Sequence, residues 1–82
     1  MSLLFGTKYR DEQLIVSAEQ ALLDEPTIDA SYLTISSEKG IVIVGGKLKS
    51  TIAKRHAIEA VEHVFQRRKL KYSKIVDAIE LS

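Results

Sequence analysis

Five cations fall within the eight residues from Arg67 to Lys74: Arg67, Arg68, Lys69, Lys71 and Lys74, with Leu70 and Tyr72 between them. Side chains of this kind at this density hold anions by charge. Near an anionic membrane each such cation contributes about 1 kcal/mol. Against nucleic acid the same charges would meet phosphates without reading sequence. The third use is a solvated loop that keeps a small domain soluble.

His56, Glu59 and His63 share one helical face at spacings of three and seven residues, the types a metal prefers. The two histidines, however, are separated by about 10.5 Å of helix axis, too far for one ion with ligands about 2.1 Å long. Solvent-facing histidines beside a carboxylate are the expected outcome, with no metal and no cofactor. Gly45-Gly46-Lys47 lacks the surrounding P-loop pattern and the glycine spacing of an RNA-binding KH loop. It reads as a bulge in an edge strand or a site of close packing. Acid–base catalysis needs paired groups with displaced pKa values in a pocket. The carboxylates here are scattered over polar positions, and a two-layer domain of 82 residues has little room for a cavity of several hundred Å³. The chain is therefore expected not to be an enzyme.

Composition sets the frame for these groups. Apolar residues make up 45% and charged residues 28%, which suits one folded domain with a modest core. Cysteine is absent, so neither disulfides nor thiolate chemistry are available. The start, Met1-Ser2-Leu3-Leu4-Phe5-Gly6, is too short an apolar run for a signal peptide, and nothing approaches the roughly 20 apolar residues of a membrane span. A cytoplasmic location follows if the chain is full length. The net charge of +1 hides a division: residues 1–38 carry two basic side chains against seven acidic ones, and residues 39–82 carry ten against four. That polarity points to an anionic partner for the second half.

The elements that must position these groups follow from periodicity. Residues 1–10 read as an N-terminal extension, native or vector-derived, ahead of a single domain over 11–82. Leu14, Ile15, Ala18, Ala21 and Leu22 have helical spacing; Thr7 or Asp11 can cap that helix, and Pro26 ends it near Asp24. Ser31 to Ser37 alternates, and Ile41 to Val44 is β-branched throughout, so the two form a hairpin with Gly40 in its turn. Ser50 caps a second helix whose inner face is Ala53, Ala57, Ala60, Val61 and Val64, fraying around 66–69. Lys74 to Leu81 is a third strand, with either Ile75 and Ile79 or Val76 and Ala78 facing inward. The order α-β-β-α-β predicts an α+β two-layer sandwich, two helices covering one face of a three-stranded sheet. Its expected core is Leu14, Ala18, Leu22, Leu33, Ile35, Val42, Val44, Ala57, Ala60, Val61 and Val64.

From Asp11 to Leu81 the residues resemble the BON family, named for bacterial osmotic-shock and nodulation proteins. Ala18-x-x-Ala21-Leu22-x-x-Glu25-Pro26 matches the family's opening helix and acidic turn. Gly40, Val42, Val44, Gly46 and Leu48 match its glycine-flanked apolar alternation, with Arg55, Ala57 and Ala60 following in the second helix. The family's Gly-Val step after that helix is missing, as is its closing Val-x-Asn: this chain has no glycine after Gly46 and has Asp77 after Val76. The resemblance implies a bacterial, periplasmic or membrane-associated module without catalytic residues, binding anionic phospholipid or a cell-envelope protein. A small nucleic-acid-binding domain is the alternative, as is a structural docking domain of a longer protein. Aromatics are only 6% of the chain, few for base stacking, and no basic helix carries the Trp or Phe anchors of membrane insertion.

Overall fold

The computed structural model describes residues 8–82. The helix α1 spans Asp11–Asp24, strands β1 and β2 span Leu33–Glu38 and Ile41–Leu48, helix α2 spans Thr51–Arg67, and strand β3 spans Lys74–Leu81. A short 3-10 turn, Ala30–Tyr32, leads into β1. Two helices lie against one mixed sheet, the α+β sandwich expected from the pattern. No helix among the described residues is long and apolar enough to cross a membrane.

β1 and β2 pair antiparallel across a two-residue turn, with Glu38 opposite Ile41. Lys39 and Gly40 both have positive φ, 52° and 82°, as a tight hairpin of this twist requires. β3 returns through α2 to pair with β2 in parallel, so the order is β1-β2-β3 and β2 is central. This corrects the reading of Gly45-Gly46 as a bulge in an edge strand: pairing runs without a slip from Leu33–Gly46 to Glu38–Ile41. The close-packing alternative holds at Gly46. Its φ is 107°, and a Cβ there would stand 2.8 Å from Leu33 Cα and collide with the Tyr32 carbonyl.

The inner face of the sheet carries Val42, Val44, Leu48 and Ile79, all buried, and Ile75, half-buried. Ile75 and Ile79 therefore face inward, and Val76 and Ala78 do not. Asp77 shares their parity, and its carboxylate lies 3.7 Å from Lys54 Nζ of α2. Leu14, Ala18 and Leu22 of α1 and Ala57, Val61, Val64 and Phe65 of α2 complete the core. Three expectations shift here. Leu33 and Ile35 are only half-buried because β1 is an edge strand, and Ala60 is half-buried. Leu48, Phe65 and Ile79 join instead, and Phe65 packs on Tyr72 with ring centroids 5.1 Å apart.

Each helix end is closed differently. Ser50 Oγ accepts from the Ala53 N–H at 3.0 Å, the expected cap of α2. Arg10 occupies the cap position of α1 and makes no side-chain cap bond; Thr7 lies outside the described residues. Asp11 turns its carboxylate to the hairpin instead. It accepts from Ser37 Oγ at 2.6 Å and from the backbone N–H groups of Lys39 and Gly40, both at 2.9 Å. At the far end of α2, Leu70 N–H donates to Phe65 O at 2.9 Å and Lys69 N–H to Gln66 O at 3.1 Å. This pair of bonds is a Schellman closure, in which Lys69, at φ 56°, takes the left-handed place usually given to glycine.

Candidate functional site

The closure of α2 fixes where the basic run points. Arg68, Lys69 and Lys71 reach a pocket of about 430 Å³ also lined by Lys8, Arg10, Gln13, Leu14 and Leu70. Five cations thus converge on it, and among the described residues no carboxylate lines it. Lys8 and Arg10 precede α1 and stand far from the run in sequence; folding brings them there because the start of α1 lies beside the end of α2. They belong to the half of the chain that is acidic overall, so charge counting along the sequence had no means of finding them.

The run itself does not act as one face. Arg67 ends α2 and Lys74 opens β3, both exposed, and neither lines the pocket. Arg68 spends one of its five N–H donors on the buried Ser17 hydroxyl, Nη1 to Oγ at 3.0 Å. Lys69 is held by its left-handed backbone. Lys71 places its ammonium 5.5 Å from the centre of the Tyr9 ring, a cation–π arrangement. Tyr9 covers Gly40, where a Cβ would stand 2.5 Å from the ring. Arg68 and Lys69 therefore contribute structure as well as charge, contrary to a reading of the run as charge alone. Gly40 and Gly46 serve the backbone only.

The other candidate groups separate. Among the described residues no three His, Cys, Asp or Glu side chains gather as a metal would require. His56 Nδ1 lies 2.9 Å from Thr27 Oγ1, and that hydroxyl donates to Glu25 Oε2 at 2.6 Å. Because the Thr27 proton goes to Glu25, His56 must donate from Nδ1. The chain of bonds clips the loop after α1 onto α2. The Thr27 hydroxyl, then its amide, hold Glu25 below its ordinary value of 4.5 against some desolvation, with a smaller contribution from His56. Asp29 is likewise held below 3.8, first by the Ser31 side chain and then by the Ser31 amide. The Ser37 hydroxyl, followed by the Gly40 amide, does the same for Asp11, desolvation opposing. These are carboxylates tied down as acceptors, not acids poised to give up a proton near neutrality.

A larger cleft, about 830 Å³, opens at the other end of α2 between residues 27–34 and 46–53. The domain has more room than its length implies.

Compared with known proteins, no family model matches the chain and no curated protein matches it in sequence.

Proposed function

We propose that this domain is a non-catalytic binding module of the BON type whose basic end engages an anionic surface, phospholipid headgroups first among them. The observation that carries the reading is the convergence of Lys8, Arg10, Arg68 and Lys69, with Lys71 beside them, on one pocket lined by no carboxylate of the described residues. Unscreened like charges are costly to hold together, so such a cluster favours a ligand that brings negative charge. Three further features support the BON resemblance: the element order, the positive φ of Gly40 and Gly46, and the step Lys69-Leu70. That step occupies the left-handed exit from α2 where the family has Gly-Val, so the absent glycine alters the residue and keeps the turn. The same reading puts the domain at the cell envelope, periplasmic or membrane-associated, where an envelope protein with an acidic patch would be the other partner.

The test is cosedimentation with phosphatidylglycerol vesicles at low salt, comparing the parent with the triple variant Lys8→Gln, Arg10→Gln, Lys69→Gly. These three leave the Arg68–Ser17 bond and the Lys71–Tyr9 contact intact. At about 1 kcal/mol per cation, the variant should bind about a hundredfold more weakly. Parent binding should fade as salt shortens the Debye length from about 30 Å at 0.01 M to about 8 Å at physiological strength. Phosphatidylcholine vesicles should retain little of either protein. Equal binding by the triple variant would remove the pocket from the mechanism. Tighter binding to single-stranded nucleic acid at matched salt would make that polymer the ligand.

A further inference from the structure

The alternation of β2 leaves a pattern that the fold does not use. Val42 and Val44 turn inward and are buried, yet Ile41 and Ile43 on the other face are equally apolar and β-branched, and they are 36% and 39% exposed. A strand apolar on both faces is the mark of a sheet covered on both sides, whereas a sheet with one wet face alternates apolar with polar. Both helices pack on the inner face, and no element among the described residues covers the outer one. The register gives the rows of that outer face. Ile41 lies between Glu38 of β1 and Lys74 of β3, and Ile43 lies between Ser36 and Val76. Glu38 and Lys74 thus flank the apolar patch at the hairpin end, while Lys47 and Glu80 are neighbours at the other. All four are exposed, and none makes an ion pair with a described residue.

The charges decide what covers this face. Its two ends carry carboxylates and ammonium groups in equal number, so a partner of one sign, an anionic bilayer included, would be repelled at half of them. A second copy of the same face is complementary. A half-turn about an axis along β2 stacks β2 on the partner's β2 and β1 on the partner's β3. Ile41 and Ile43 then meet their own equivalents, Glu38 stands over the partner's Lys74, and Lys74 stands over the partner's Glu38. At the far end each Lys47 keeps Glu80 beside it. A half-turn across the strands would instead set Lys47 against the partner's Ile41. Two stacked sheets with strands within about 30° of each other are a common packing. We infer that the chain forms a two-fold dimer through the outer face of its sheet, with Ile43 near the centre and two Glu38–Lys74 pairs across the interface. The face is about 14 Å wide and about 20 Å long from Ile41 to Lys47. That is small beside the roughly 800 Å² per partner of a standard interface, so the dimer is weak. Tyr9, which covers Gly40 and meets Lys71, sets the basic pocket at the hairpin end. The half-turn keeps both hairpin ends together, so both basic pockets face one way, toward one flat surface. That consequence rests on the function proposed above; the pairing does not.

Sedimentation equilibrium of the full chain, between about 10 µM and about 1 mM, tests the pairing; a dimer Kd of about 100 µM is expected for an interface of this size. Glu38→Lys alone, or Lys74→Glu alone, sets like charges at both crossing pairs and should weaken the dimer about tenfold. An equimolar mixture of these two variants restores opposite charges at both positions. It should regain the parent's affinity, which no effect within a single copy could produce. Ile43→Lys should leave the chain monomeric at about 1 mM; if that variant does not fold, the mixture decides alone. The triple variant of the basic pocket should dimerise as the parent does. A parent that stays monomeric at about 1 mM, a mixture no tighter than its components, or a species larger than a dimer would each overturn the inference.

Discussion

At Lys69 a side chain pays for a backbone conformation that glycine adopts freely. The left-handed region costs an L-residue about 1–2 kcal/mol, part of which is returned because a non-glycine loses less entropy on folding. Lys69→Gly should therefore stabilise the domain by about 0.5–1 kcal/mol, a rise of a few degrees in Tm for a chain of this size. A fall in Tm would mean that the Schellman closure at φ 56° does not form in solution. Nothing in the sequence marks this residue as a backbone position, because its charge makes it look like one more cation of the run. Asp11 misleads in a similar way: it looks like a cap of the first helix, and it is the anchor of the hairpin turn. Its folded carboxyl is more acidic than the ordinary 3.8, so protons bind the unfolded chain first as pH falls. The stability it contributes is complete above about pH 5 and is lost as pH drops below 4 through the folded pKa. Asp11→Asn should lower the melting temperature at neutral pH and flatten its decline on acidification. An acid limb as steep as the parent's would assign that limb to Glu25 and Asp29 instead.

The elements were legible wherever a face was unambiguous. α1, the hairpin and the capped start of α2 follow from spacing, from Gly40 and from Ser50. β3 was legible as a strand and illegible in parity, since apolar residues occupy both of its faces. The structure resolves it through the parallel register, which sets Ile75 beside Val42 and Asp77 beside Val44. The place of β2 at the centre of the sheet was equally hidden, because it depends on β3 crossing back over α2. Central position is what makes Val44 the sharpest test at this scale. It is fully buried in the core and flanked by both other strands. Val44→Asp would bury a charge with no partner, costing several kcal/mol, comparable to the whole stability of a small domain. The variant should be unfolded by circular dichroism at 25 °C. A cooperative melt near the parent's would contradict both the strand order and the inward face of β2.

Across the whole molecule, the two ends of α2 border different pockets. The halves of the sequence differ in charge, yet the spatial division does not follow them: Lys8 and Arg10 cross to the basic end, while Lys47 and Lys49 lie at the other. Three of the five pocket cations were therefore visible in the run 67–74, and the other two needed the antiparallel meeting of α1 and α2. The central claim is that this meeting makes the anion-binding surface. It is tested most directly by amide resonances of the labelled domain titrated with nanodiscs containing phosphatidylglycerol. Attenuation should concentrate on Lys8–Arg10 and Arg68–Lys71, disappear with added salt, and spare Lys74 and the exposed end of α1 around Leu23. Attenuation spread evenly over the domain, or centred on residues away from the pocket and insensitive to salt, would contradict the account.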